Sequence, residues 1–259
     1  MRKEPDLQLS NEKIEMGDMI KVSDDKILFM AKTKSKLILL DSKTETVLSE
    51  IVLKGKPRFM CMGDANQVAT TLSSKKVQFL NIKDDKLIDD SILDVDVHMM
   101  GVAAYNNHLV VSYDPPGVRI ISKGGAVIHK LDNTTTGREV FKNPRYIATT
   151  ADGSIYVTDW GMNNITRLDS NLTLLQTFSG LIVNGPHGII ALNRDQLLVC
   201  NKRNNNILLI RPSTNSMTVL LDKQHGIQKP QSFCFCKKQK KVYVAPIGET
   251  TSVLAYKLT

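Results

Sequence analysis

The sequence contains few of the residues that mark several common protein classes. Only 5% of its 259 residues are aromatic, with a single Trp, and Cys occurs four times. Four Cys in a chain of this length do not make a disulfide scaffold. No apolar run approaches the roughly eighteen residues of a membrane-spanning helix, and the first residues lead into no apolar signal segment. We therefore expect a protein of the cytoplasm with no membrane partner.

What is present is a basic chain of evenly mixed composition. Lys and Arg number 34 against 26 Asp and Glu, which gives a formal net charge of +8, and 42% of the residues are hydrophobic. This is too apolar for a disordered chain. The length allows one large domain or two small ones, with a core of ordinary size.

Helical periodicity is nearly absent, and short runs rich in Val, Ile, Leu and Thr recur instead. Each run has the length and composition of a buried strand, bounded by residues that favour turns. Six of these runs align at spacings of 41 to 46 residues, and their first apolar residues are Ile27, Val68, Leu109, Ile155, Leu197 and Val242. A period in the forties with four strand-like runs per repeat predicts an all-β, six-bladed β-propeller with four antiparallel strands per blade. We expect one domain over 1–259.

The two ends of the chain predict how the ring closes. The sixth repeat stops after its third strand, whereas the segment 5–11 precedes the first repeat and belongs to no blade of its own. Leu7 and Leu9 alternate with polar residues as they would in a strand. We therefore expect 5–11 to complete the sixth blade as its outer strand, which covers edges that would otherwise stay open.

The repeat at 143–169 carries the most specific pattern. It begins Asn-Pro-Arg-Tyr, has Asp-Gly in the following turn and continues with Tyr-Val-Thr-Asp in its second strand. Through this pattern the chain resembles NHL-repeat propellers, most specifically over 143–210. By this pattern the chain resembles in particular the C-terminal propellers of tripartite-motif (TRIM-NHL) proteins. This implies a substrate-recognition domain of an E3 ubiquitin ligase, itself monomeric, in a parent protein that a coiled coil can oligomerise.

Positive charge is expected on one face of the propeller. Loops that enter each first strand, and loops between the second and third strands, share that face. Most of the surplus Lys and Arg fall in these loops, among them Lys34, Lys76, Lys202 and Arg203. One-sided positive charge attracts polyanions and speeds their encounter. The alternative is a surface that serves solubility alone.

The residue that follows the start of each first strand is expected beside the central channel. The six such residues are Gly17, Arg58, Met99, Arg145, His187 and Gln231. Two Arg and one His around a single mouth suit phosphate or carboxylate, because a guanidinium donates two parallel hydrogen bonds.

Aromatic and amide side chains accompany these basic residues. Phe59 and Tyr146 directly follow the two Arg, while Trp160 and Asn164 fall in a loop of the basic face. Exposed rings there would stack on unpaired bases or anchor a partner, whereas buried rings would only pack between blades. The sequence leaves both alternatives open.

Catalysis has little support in the sequence. There is no nucleophile elbow and no phosphate-cradling Gly loop. Arg, His and Met at the mouth would repel Ca²⁺, and the His and Cys residues scatter rather than cluster as zinc ligands do. We predict a non-catalytic domain without metal or cofactor that binds single-stranded RNA or an acidic protein or peptide. A protein-interaction scaffold without RNA binding is the alternative, followed by a metal-dependent hydrolase or lyase.

Overall fold

A computed structural model of the chain describes residues 2–9, 13–245 and 248–257. Within these ranges, 25 strands form six antiparallel sheets. The innermost strand of each sheet contacts those of both neighbouring sheets, the sixth and the first included, so the ring is closed. The structure confirms the predicted all-β, six-bladed propeller with four antiparallel strands per blade.

The strands of each blade follow one another from the channel outwards. Blade 1 contains β2 (Ile14–Lys21), β3 (Lys26–Ala31), β4 (Lys36–Asp41) and β5 (Thr46–Val52). Blade 2 contains β6 (Pro57–Met62), β7 (Gln67–Leu72), β8 (Lys76–Lys83) and β9 (Lys86–Asp94). Blade 3 contains β10 (His98–Tyr105), β11 (His108–Asp114), β12 (Gly117–Ser122) and β13 (Val127–Asp132).

The second half of the ring repeats this order. Blade 4 contains β14 (Pro144–Thr149), β15 (Ile155–Asp159), β16 (Asn164–Leu168) and β17 (Leu174–Phe178). Blade 5 contains β18 (Pro186–Asn193), β19 (Gln196–Asn201), β20 (Asn206–Arg211) and β21 (Ser216–Leu221). Blade 6 contains β22 (Ser232–Cys236), β23 (Lys241–Ala245), β25 (Ser252–Lys257) and, outermost, β1 (Arg2–Gln8). The short β24 (Glu249–Thr250) pairs with β2.

In the described ranges, helical structure is confined to single turns in the loops. These are α1 (Asn133–Thr136) and three 3₁₀ segments at Lys202–Asn204, Pro212–Thr214 and Lys223–His225. Across the described part of the chain, no helix is both long and apolar enough to cross a membrane.

The N-terminal strand closes the sixth blade, as predicted. β1 pairs antiparallel with β25, from Arg2 opposite Lys257 to Gln8 opposite Ser252. The strand therefore begins and ends earlier than the predicted 5–11, of which residues 10 and 11 lie outside the described residues. Leu7 and Leu9 are buried in the apolar layer between blades 6 and 1.

Each strand serves two apolar layers at once, which explains why the strands are apolar along their whole length. In β3, Ile27 and Phe29 pack against residues of blade 6, whereas Leu28 and Met30 pack against residues of blade 2. Successive side chains of a strand point to opposite faces, and in a propeller both faces are covered by a neighbouring blade. Continuous runs of Val, Ile and Leu are therefore required in place of alternation with polar residues.

Candidate functional site

The first strands of blades 1 to 5 are each interrupted by a β-bulge close to their start. A bulge inserts an unpaired residue and re-aims the side chains beside it. In blades 2, 4 and 5 the interruptions include Arg58, Arg145 and His187, three of the residues predicted for the channel mouth. In blade 3 the interrupted residue is Met100; the predicted Met99 instead pairs with Tyr113 and is buried.

Hydroxyl groups on the neighbouring strands satisfy the backbone groups that the bulges free. The Phe59 amide donates to Thr71 Oγ1 at 3.1 Å, and the Tyr146 amide donates to Thr158 Oγ1 at 3.1 Å. The Arg145 carbonyl oxygen accepts from Ser112 Oγ of the preceding blade at 3.0 Å. Gly101 allows this approach, because a Cβ on it would lie 1.8 Å from the same oxygen.

Four half-buried cations belong to this mouth and are called the mouth cluster here: Lys32, Arg58, Arg145 and Lys202. Neighbouring strands are antiparallel, so the end of a second strand lies beside the start of a first strand. Lys32 directly follows β3 and Lys202 directly follows β19, which is the same repeat position in blades 1 and 5. Lys32 was not predicted as a site residue, although its place in the repeat is a signal that could have identified it.

The pKa values of the mouth cluster show that its members influence one another. Burial, followed by the charges of Arg145 and Lys32, lowers the pKa of Lys202 to about 8. Burial also lowers the pKa of Lys32, although the carboxylates of Glu15 and Asp18 act in the opposite direction. The pKa of Arg145 is lowered by burial as well. Positive charge is therefore held in a partly dehydrated site. A bound anion would lower the free-energy cost of keeping these cations away from water.

The mouth cluster differs from the outer basic residues in having no acidic partner. Lys36 pairs with Glu50, Lys54 with Asp89 and Lys76 with Asp94. Within the described ranges, no carboxylate forms an ion pair within 4.0 Å of a mouth-cluster cation. The Arg58 guanidinium instead contacts the Met100 sulfur at 3.2 Å. The basic face thus contains ion pairs further out and a centre whose cations form none, although Glu15 and Asp18 act on Lys32 from a longer distance.

His187 is present as a neutral imidazole. Burial, together with the charges of Lys202, Arg145 and Lys32, lowers its pKa to about 2. Its Nδ1 is buried and has no hydrogen-bond partner among the described residues. The ring packs against Tyr146 and Trp160 and contributes no positive charge to the mouth.

The two aromatic residues beside the mouth are buried rather than offered as flat surfaces. Phe59 and Tyr146 are each 8% exposed, and their rings meet edge to face with centroids 4.7 Å apart. Of the two alternatives that the sequence left open, the structure supports packing between blades.

Trp160 is half-buried between blades 4 and 5. The Arg203 guanidinium lies 4.2 Å and the Lys202 Nζ 5.5 Å from the ring centroid, and His187 meets the ring edge to face at 5.0 Å. Such contacts position the cations by cation–π attraction. Trp160 is therefore a support beneath basic residues, and as the only Trp it reports on their surroundings.

Three other predicted residues do not join the mouth. Asn164 is 9% exposed and pairs with Asp159 at the start of β16. Lys76 is engaged with Asp94 on the outer strand of blade 2. Lys34 lies exposed in the loop between β3 and β4. Arg203, by contrast, is exposed beside Trp160 and extends the positive charge of the mouth outwards.

Asp18, which sequence reasoning missed, is buried directly beneath the mouth. Its carboxylate accepts from Ser232 Oγ at 2.5 Å, from the Met60 amide at 3.2 Å and from its neighbour, the Met19 amide, at 3.0 Å. Burial raises its pKa despite these bonds. These contacts join blade 1 to blades 2 and 6. We therefore assign Asp18 a structural role. No sequence signal marks it, since its partners are 42 and 214 residues away.

A cavity of about 420 Å³ occupies the channel. The first strands line it, from Asp18 and Tyr146 at one end to Thr149 and Lys237 at the other. Arg58, Arg145 and the other mouth-cluster cations are not part of its lining, so the two features are separate. Among the described residues, no three His, Cys, Asp or Glu side chains are grouped as metal ligands would be. The expected lack of a metal and of catalysis stays a prediction.

Solved structures share this fold. A streptogramin B lyase structure matches with a TM-score of 0.71 at 16% identity, covering 98% of this chain and 86% of that chain. A functionally unknown protein from Desulfotomaculum acetoxidans DSM 771 matches with a TM-score of 0.62 at 15% identity, covering 92% of this chain and 73% of that chain. Identities this low establish the common propeller fold alone.

Sequence comparison adds no family assignment. No protein-family model matches the chain, and no curated protein sequence matches it. Membership of the NHL and TRIM-NHL families therefore stays a prediction.

Proposed function

We propose that this propeller is a non-catalytic recognition domain that binds an acidic segment of a protein partner across its channel mouth. The observation that carries the proposal is the mouth cluster, four half-buried cations without an acidic partner among the described residues. Keeping unpaired charge half-buried costs folding free energy, and a bound anion offsets that cost. The exposed Lys56, Lys142, Arg203 and Lys229 extend the attraction over a surface wide enough for a peptide.

Single-stranded RNA is the second candidate, favoured by the excess of positive charge on one face. It ranks second because sequence-tolerant RNA binding relies on exposed rings on which bases stack. Phe59 and Tyr146 are buried, and Arg203 lies over Trp160. In a TRIM-NHL protein, which the repeat at 143–169 resembles, a domain of this kind would select the substrate of an E3 ubiquitin ligase.

We expect the double variant Arg58→Ala/Arg145→Ala to bind a labelled Glu-rich peptide at least about tenfold more weakly than the wild type. Both guanidiniums belong to the mouth cluster, so their loss removes the charge-assisted hydrogen bonds available there. Fluorescence anisotropy at about 50 and 200 mM salt measures the effect, and wild-type affinity should fall steeply over this range. Lys123→Ala/Lys238→Ala is the charge-matched control, because both Lys are exposed in loops of the opposite face.

If the control variant lost as much affinity for the peptide, only the net charge of the protein would matter, and the channel mouth would not be the binding site. Binding of a pool of short RNAs, with no binding of the acidic peptide at the lower salt, would replace the peptide by RNA. If neither the acidic peptide nor RNA bound at the lower salt, recognition of anions by this face would be refuted.

A further inference from the structure

We propose that the centre of the mouth is a subsite for one phosphate monoester, formed by Lys32, Arg145 and Lys202, and that the partner segment carries a phosphorylated residue. This inference rests on the proposed function and makes its ligand specific. It distinguishes a single dianionic group, held at one point, from a run of acidic residues spread over the face.

The convergence of the three cations carries this inference. They come from blades 1, 4 and 5 but lie at the same end of the channel, because Lys32 and Lys202 directly follow β3 and β19 and Arg145 lies in the bulge at the start of β14. The charges of Lys32 and Arg145 accordingly act on Lys202. A phosphate monoester brings close to two negative charges and three acceptor oxygens, which match several cations arriving from different directions. A carboxylate brings one charge on a planar group, so it would leave most of this positive charge uncompensated.

One hydrogen-bond donor at the same place has no acceptor. Arg145 Nε is buried without a partner among the described residues. Buried polar atoms are nearly always hydrogen-bonded in native proteins, so an oxygen of a bound anion would supply the acceptor that this donor lacks.

Two of the carboxylates near the subsite are engaged elsewhere. Asp159 accepts hydrogen bonds from the backbone amides of Lys142, Asn143 and Gly161, at 2.8, 3.0 and 2.8 Å. Asp18 lies beneath the mouth, bonded to Ser232 and to backbone amides. Glu15, like Asp18, acts on the charge of Lys32. Among the described residues none of the three forms an ion pair with the mouth cluster, so an incoming phosphate would not have to break one.

The test compares three peptides of one acidic sequence that differ at a single position, Ser, phosphoserine or Glu. Titration is followed by Trp160 fluorescence and checked by calorimetry at pH 7. We expect the phosphopeptide to bind at least about thirtyfold more tightly than the Ser peptide, and the Glu peptide less than about fivefold more tightly. Inorganic phosphate should compete with the phosphopeptide.

The matched variants are Arg145→Lys and Lys142→Ala. Arg145→Lys keeps the charge but removes the guanidinium donors, so it should erase most of the preference for phosphate while leaving the Ser peptide bound. Lys142 is exposed outside the mouth cluster, and its loss should weaken all three peptides alike.

The pH dependence gives an independent readout. Lys202, with its pKa lowered to about 8, is surrounded by Arg145, Lys32, Lys229 and the Cys200 thiol. Because its charged form binds the anion, we expect phosphopeptide affinity to fall several-fold as the pH rises from 7 to about 9.5. Lys202→Arg should remove most of this fall, since a guanidinium stays charged throughout that range.

Equal affinities for the phosphoserine and Glu peptides, with acidic peptides still bound, would overturn the subsite and leave the proposed function standing. Failure of all three peptides to bind would overturn both. Competition by short RNAs that exceeds competition by the phosphopeptide would reassign the subsite to nucleic acid and also overturn it.

Discussion

Replacement of both Leu7 and Leu9 by Ala is expected to lower the free energy of unfolding by about 5 kcal/mol. A buried Leu→Ala change typically costs between about 2 and 5 kcal/mol, and whole domains are stable by only about 5 to 15 kcal/mol. Leu7 is 2% and Leu9 3% exposed, and both pack in the apolar layer between blades 6 and 1. The double variant should therefore be largely unfolded at moderate urea concentration.

The position of these residues in the ring increases the consequence. β1 is the strand that joins the N-terminus to the last blade through its ladder with β25. Weakening its apolar anchor releases the strand and exposes the edge of β25, and an open edge strand pairs readily with other chains. We therefore expect aggregation of the variant on heating, as well as a lower midpoint of unfolding.

Urea unfolding followed by circular dichroism measures the change. Leu181→Ala is the matched control, because Leu181 is fully exposed and should alter stability by less than about 0.5 kcal/mol. A double variant as stable as Leu181→Ala would contradict the closure of the ring by the N-terminal strand.

Replacement of Asp18 by Ala is expected to lower the free energy of unfolding by about 3 kcal/mol. The change removes the acceptor for the Met60 amide and the Ser232 hydroxyl, and one of the two acceptors of the Met19 amide, which keeps Ser232 Oγ at 3.3 Å. A buried donor left without an acceptor costs about 1 to 3 kcal/mol, and here the donors belong to three blades. The loss should therefore weaken the packing of the innermost strands at the point where blades 6, 1 and 2 meet.

Two controls separate the lost acceptor from other effects. Asp18→Asn keeps one acceptor oxygen and should cost less than Asp18→Ala, whereas Asp64→Ala removes an exposed carboxylate and should cost almost nothing. Ser232→Ala should cost less in the Asp18→Ala background than alone, because the two side chains share one hydrogen bond. Additive losses from Asp18 and Ser232 would show that the bond contributes nothing.

Local patterns were sufficient to predict the architecture. Each blade is one repeat of four strands, so six aligned apolar runs determine six blades. The alternation of Leu7 and Leu9 marked the closing strand, and only its bounds differed, Arg2–Gln8 against 5–11. Arg58, Arg145 and His187 were placed near the channel mouth by their repeat position alone, and the bulges of the first strands hold all three.

The tertiary structure alone decided how those residues are used. Whether Phe59 and Tyr146 are exposed depends on the neighbouring blade that covers them, and no pattern within one repeat records that contact. No local pattern predicted the ion pairs of Lys54 and Lys76 or the burial of Asp18. Nor did one predict that Lys32, Arg145 and Lys202 approach each other from three blades. Strand formation follows from residues close together in the chain, so the sequence determined a propeller with a basic face. Burial and charge compensation arise between residues tens to hundreds of positions apart, so only the closed ring decided which cations at its mouth are left without an acidic partner.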